Sequence, residues 1–305
     1  MKLFQQIFNR FKEILFIPRN LANISRQSNN LIGLENKLQA LNQKLNDLDL
    51  ASISKKLDTL SQNLANDTNT QKKESGNIEI SELFSKIQEG FENQFLQFES
   101  LLSIYNSLPN LKFLPATRGW AGSPDFLAKI VELILKEKPR FVLEASSGVS
   151  TVLIGLTLKS NNFGTSLSLD HDSYYAETTR ENLEVNTIGN ISAVKHCPLY
   201  NYIVSGQDWK WYQTESLNLT EKIDMLIIDG PPRKTQNLAR YPAIPLLHEY
   251  FSDRVLILID DAKRNDEIII VEKWIKFLES NGYHVNIKHY NNYEKGMVIL
   301  ESIRL

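Results

Sequence analysis

From about Leu111 onward, apolar runs of strand length alternate with stretches of helical periodicity. The runs are RFVLEA, SLSLD, ISAVKH, KIDMLIID and RVLILID. Helical spacing fits the stretches at about 123–137, 149–159, 173–186, 235–250 and 266–281 before and between them. This alternation predicts a parallel sheet with helices on both faces. Two further runs, YHVNIKHY and GMVILES, are joined by the short polar segment NNYEK and predict a closing antiparallel pair. The expected class is α/β, with five parallel strands and a terminal antiparallel hairpin.

An open α/β sheet binds ligands at the carboxyl ends of its strands, so the residues there are the candidates. The first run is followed by Glu144, Ser146, Ser147, Gly148, Ser150 and Thr151, and the second by Asp170, His171 and Asp172. His196, Cys197, Pro198 and Leu199 follow the third; Asp229, Gly230, Arg233 and Lys234 follow the fourth. The fifth ends in LILIDD, with Asp260 and Asp261 adjacent and Lys263 and Arg264 just beyond. Small residues over 145–151 let a ligand approach the backbone, and the next helix offers its N-terminal amides. Asp170 stands about 20 residues past that loop, where an acid bonds ribose hydroxyls. The loop has one glycine where a dinucleotide fingerprint has three, which argues against NAD and for a ribose cofactor without a diphosphate. Each acid taken alone is equally readable as a helix cap. Two adjacent carboxylates on an apolar strand are costly through repulsion and desolvation. If the fourth and fifth strands are neighbours, Asp229, Asp260 and Asp261 converge, and such a set suits Mg²⁺, Mn²⁺ or Ca²⁺ rather than zinc.

Three segments, FVLEASSGVSTVLIG, LSLDHDSYYAETTREN and IDMLIIDGPP, give the chain from about residue 112 a family resemblance. It resembles the S-adenosylmethionine-dependent methyltransferases with the Rossmann-like fold. LPATRGWAGSPDFL and ARYPAIPLL look like a bacterial subgroup of that superfamily, similar to metal-dependent O-methyltransferases. The departure is EASSG, where the family commonly has a glycine after the acid. The resemblance implies a seven-stranded, mostly parallel Rossmann-like sheet ending in the antiparallel hairpin. It implies that Glu144 lies below the methionine part of the cofactor, lined by Ser146, Gly148, Ser150 and Thr151. Asp170 would take the ribose hydroxyls beside His171, and Pro198 would flank the adenine. The acids are similar to those of the catechol and caffeoyl-CoA O-methyltransferases and of the macrocin-type sugar enzymes. Asp261 stands where the first two have asparagine. The implied reaction is O-methylation of a hydroxylated small molecule or glycan, using S-adenosylmethionine and Mg²⁺ or Mn²⁺ at Asp229, Asp260 and Asp261.

A base must remove the hydroxyl proton, and Lys234, in the DGPPRK segment, is one candidate, with His171 a poorer one. The plain alternative makes Lys234 and Arg233 solvated loop charges or salt-bridge partners of Asp229. Arg240, Tyr241 and Arg264 are candidates for framing the substrate mouth. Trp120 either covers the cofactor or packs, and WKWY at 209–212 either stacks on an acceptor or packs under a loop. The competing function is a degenerate methyltransferase-fold scaffold or binding protein assembled through a coiled coil. An NAD-linked oxidoreductase lacks its glycine fingerprint here.

The remainder of the 305 residues reads as an extension. Residues 1–18 form an amphipathic pattern of Leu3, Phe4, Ile7, Phe8, Phe11, Ile14 and Leu15, stopped by Pro18. It reads either as an interfacial membrane helix or as a face for a partner helix. In 19–65, Leu31, Leu34, Leu38, Leu41, Leu45 and Leu48 alternate spacings of three and four, the seam of a coiled coil and hence of a homo-oligomer. Residues 66–78 read as a polar linker and 79–110 as a helical connector; residues 111–305 form the methyltransferase-like domain. A formal net charge of −2 gives no basic field for nucleic acid. One cysteine excludes an intrachain disulfide, and cytoplasmic residence is the expectation, with peripheral contact at the inner membrane through 1–18 as the variant.

Overall fold

The computed structural model describes residues 70–305 apart from 118, 215, 216 and 218, with side chains from residue 85. The expected amphipathic helix at 1–18 and coiled coil at 19–65 lie outside the described residues.

Five apolar runs become parallel strands: β1 (Phe141–Ala145), β2 (Thr165–Asp170), β3 (Ser192–His196), β6 (Ile223–Ile228) and β7 (Phe251–Asp260). The closing runs become β8 (Tyr283–Tyr290) and β9 (Met297–Arg304). The seven strands lie in the order β3-β2-β1-β6-β7-β9-β8. β9 pairs antiparallel with both β7 and β8, so the expected hairpin is present, with its second strand inserted next to β7. Strand order reverses between β1 and β6, which pair in parallel. This is the Rossmann-like sheet, and the reversal opens a crevice at the strands' carboxyl ends.

Alternate residues of each strand feed two apolar layers. Val142, Met225, Ile227, Leu256 and Leu258 pack with α2 (Pro124–Glu137) and α3 (Val149–Asn161). Leu143, Leu226, Ile228, Ile257 and Ile259 pack with α6 (Asn265–Ser280), through Ile270, Trp274 and Leu278. A third cluster joins α3 to α4 (Ser173–Val185) through Val152, Leu156, Ala176 and Leu183.

Three expectations about elements change. α1 runs from Thr70 to Ser107, so the helix occupies residues 70–78 of the stretch expected as linker. Its Lys, Gln and Glu are good helix formers even where no apolar period marks them. A division between compact units falls at Phe84/Ser85 rather than near 110, so most of the expected connector belongs with the sheet. Along this stretch Phe91 is 50% exposed, while Gln97, Ser100, Ile104 and Leu108 carry the burial. Gln97 explains why a polar residue goes inside. Its amide donates to Asp125 Oδ2 at 2.8 Å and its carbonyl accepts from Asp125 N at 3.1 Å.

The helix expected over 235–250 shrinks to α5 (Ala243–Leu247), between single 3-10 turns at Arg233–Thr235 and His248–Tyr250. Pro242 and Pro245 supply no N–H for a longer ladder. An element not anticipated is the antiparallel pair β4 (Leu199–Val204) and β5 (Gln207–Tyr212). Its turn residues Ser205 and Gly206 both have positive φ, 52° and 75°, as a two-residue hairpin turn requires. Among the described residues no helix is long and apolar enough to cross a membrane.

Candidate active site at the sheet reversal

The loop after β1 is tightly constrained. Ser146 and Gly148 have φ of 143° and 153°, a region L side chains rarely adopt. Beneath it, Glu144 is fully buried on the α3 side of the sheet. Thr151 Oγ1 and Ser168 Oγ donate to Glu144 Oε2 at 2.6 and 2.5 Å, and Thr151 Oγ1 accepts from Gly148 N at 3.0 Å. Glu144 Oε1 is buried with no hydrogen-bond partner among the described residues. Burial raises the carboxyl to about 7, although the Ser150, Ser168 and Thr151 hydroxyls pull the other way.

Asp170 joins the two strand ends. Its Oδ2 accepts from Ser147 Oγ at 2.6 Å and its Oδ1 from Asp172 N at 2.9 Å. His171 Nδ1 lies 3.7 Å from Oδ1. Asp172, not Asp170, caps α4: its carboxylate accepts from Tyr174 N at 2.9 Å. Helix capping is therefore not what holds Asp170 here.

The second half of the site is acidic. β6 and β7 are neighbours, and Asp229, Asp260 and Asp261 bring carboxylate oxygens within 4.8 Å of one another. Asp261 holds a φ of 62°, which aspartate tolerates better than most residues. Arg240, expected at the mouth, instead lies inside the cluster, its side chain 4% exposed. Its Nη2 donates to Asp229 Oδ1 at 3.1 Å and Asp261 Oδ2 at 2.7 Å, and its Nη1 to the Asp260 carbonyl at 2.9 Å. Arg264 Nη1 lies 2.7 Å from Asp261 Oδ2, and Lys295 Nζ lies 3.8 Å from Asp260 Oδ2. Neither Asp260 carboxylate oxygen has a hydrogen-bond partner among the described residues. Burial, then the charges of Asp229 and Asp261, push Asp260 well above the carboxylate range.

The structure thus brings Glu144, Ser146, Gly148, Asp170 and His171 to one crevice and the three aspartates to one cluster. Ser150 and Thr151 are buried, and Thr151 spends its hydroxyl on Glu144, so it supports the loop from below. Pro198 is exposed just past β3, between buried Cys197 and β4. Lys234 is exposed too, with Nζ 5.9 Å from the centre of the Trp120 ring. Trp120 is 81% exposed, which removes the packing alternative for it. Arg233 pairs with Asp266 at 3.1 Å rather than with Asp229. In WKWY, Trp209, Trp211 and Tyr212 are buried at 8, 0 and 1%, so these rings pack rather than stack on an acceptor. Sequence reasoning missed Lys295 beside Asp260, while Ser147 stood among the strand-end candidates and Tyr212 within WKWY. It misplaced Arg240, although an arginine between Ala239 and Tyr241 was a signal for a buried ion pair.

No family model matches the chain, and no curated protein matches it. Solved structures do. An O-methyltransferase from Bacillus cereus in complex with SAH is 16% identical with a TM-score of 0.47, covering 70% of this chain and 96% of that one. An O-methyltransferase from Streptomyces achromogenes involved in tomaymycin synthesis, in complex with SAM, is 9% identical with a TM-score of 0.45; 66% and 89% are covered. An SAH-bound methyltransferase from Podospora anserina is 12% identical with a TM-score of 0.44, over 65% and 86%.

Proposed function

We propose that the protein is an S-adenosylmethionine-dependent methyltransferase acting on a hydroxyl of a small molecule or glycan. The observation that carries this is the pairing of two features at the reversal. One is the buried, unpartnered Glu144 Oε1 under a strained small-residue loop. The other is Asp170, tied to that loop through Ser147. Glu144 would lie below the methionine part of such a cofactor, and Asp170 would take its ribose hydroxyls.

The donor set at the acidic cluster fits a hard divalent cation: all oxygen, closely spaced, with both Asp260 carboxylate oxygens without a hydrogen-bond partner among the described residues. Asp229, Asp260 and Asp261 would hold it, and when bound it would lower the acceptor hydroxyl's pKa and fix its oxygen. Arg240 keeps Asp229 and Asp261 in place. Lys234 stands exposed beside Trp120 as the candidate for accepting the hydroxyl proton. Arg240 also favours a second reading, in which its guanidinium does the cation's work and turnover needs no metal.

Calorimetry with S-adenosylhomocysteine tests the cofactor assignment. We expect binding by the intact chain and a loss of about 10- to 100-fold in Asp170→Ala, the size of a charge-assisted hydrogen bond. No heat with the intact chain would overturn it. In a turnover assay, Lys234→Met should lower kcat with that affinity unchanged, and chelation should stop the metal-assisted reaction but not the Arg240-supported one.

A further inference from the structure

Tyr212 is the side chain in the crevice that the reading above leaves unused. It does not come from the parallel sheet. It ends β5, paired with Leu199 of β4. Its ring is 1% exposed, edge-on to Trp211 at 5.1 Å and to His171 at 6.2 Å, centroid to centroid. Its hydroxyl rests on Gly230: a Cβ at that position would lie 2.3 Å from it. The same point is 3.1 Å from the Ala145 carbonyl and 3.2 Å from Ser146 Cβ. The phenol oxygen therefore stands over the ends of β1 and β6, where strand order reverses.

The charges felt there are one-sided. The hydroxyl's neighbours Gly230 and Ala145 directly follow Asp229 and Glu144, and the His171 ring beside the phenol lies 3.7 Å from Asp170, while Arg240 is bonded to Asp229. Burial and those carboxylates also push the phenol well above its usual range, so it stays protonated. A neutral oxygen in acidic surroundings suits a positively charged ligand group better than a neutral one.

We propose that Tyr212 contacts the sulfonium end of S-adenosylmethionine and selects the charged cofactor over its neutral demethylated product. This rests on the reading of the crevice as the cofactor site. The C–H groups beside a sulfonium are polarised and bond weakly to an oxygen acceptor. The thioether product lacks that charge, so the contact fades once the methyl group has left. Tyr212 thereby favours substrate binding and product release together. Gly230 is required because any side chain there would push the hydroxyl aside.

The test compares two ligands on two variants by calorimetry, with a thermal melt as the control for folding. In Tyr212→Phe, which removes one oxygen, S-adenosylmethionine should bind about fivefold more weakly, or ~1 kcal/mol. S-adenosylhomocysteine should bind as it does to the parent. Gly230→Ala displaces the hydroxyl instead of deleting it and also crowds Ser146, so if the phenylalanine variant does not fold it serves through the ratio of affinities: S-adenosylmethionine should lose about fivefold more than S-adenosylhomocysteine. Equal changes for the two ligands, or none, would overturn the proposal while leaving the cofactor site standing. Binding of neither ligand by the parent chain would overturn both.

Discussion

Ser146 and Glu144 show how much one residue can hold. Ser146 carries a side chain at φ 143°, where the cost is about 1–3 kcal/mol. Ser146→Gly removes that strain but gives the unfolded chain more freedom. We expect a net gain of about 1 kcal/mol in urea denaturation, since the strain exceeds the entropy term. A loss would mean that the serine side chain makes a contact worth more than its strain. Glu144 predicts a pH effect. Its folded value of about 7 lies above the ordinary 4.5, so the folded state binds the proton more tightly. The stability this contributes is fully present below about 4.5 and is lost as pH rises through about 7. The size is about 3 kcal/mol, at 1.36 kcal/mol per unit. Glu144→Gln, neutral throughout, should flatten the denaturation midpoint between pH 5 and 8; an unchanged slope would assign the titration to another group.

At the scale of elements, period and punctuation read well wherever an element buries one regular face. The expected helix at 123–137 is α2, Pro124–Glu137, and that at 266–281 is α6, Asn265–Ser280. Reading failed where a segment's environment is not set by its own pattern. The stretch 235–250 looks periodic, yet Pro242 and Pro245 limit it to α5. The β4–β5 pair escaped notice although Tyr200 and Tyr202 lie opposite Trp211 and Trp209 on one face, because Tyr200 and Ile203, on opposite faces of β4, are both exposed, which blurs the apolar alternation. Its turn, Ser205-Gly206, was the available signal. The hairpin matters to the site because it delivers Tyr212 from outside the parallel sheet.

At the scale of the whole molecule, the acidic cluster is a problem of charge balance. Asp229, Asp260, Asp261 and Glu267 come from β6, β7 and α6 or their ends, and Arg240, Arg264 and Lys295 face them. Arg240 reaches three of these acids with its side chain. Removing one partner of a buried ion network costs about 3–5 kcal/mol, because the charges left behind are uncompensated. Arg240→Met should show a loss of that order in denaturation at neutral pH. A loss below about 1 kcal/mol would mean that the cluster is wet enough to tolerate the vacancy.

The α/β class, the five parallel strands, the closing hairpin and the acids at the strand ends were all determined by the sequence itself. Each depends on the period of apolar residues and on which residue ends a run, and both are local properties of the chain. That β6 lies beside β7, so that Asp229 meets Asp260 and Asp261, was legible only as a condition. Tertiary structure alone decided the rest: Arg240 inside the cluster, Lys295 arriving from the β8–β9 connection, Thr151 beneath Glu144, and Tyr212 over Gly230. Those contacts join residues far apart along the chain. Their energies come from burial and from charges facing one another across elements, and no spacing within a single segment records either.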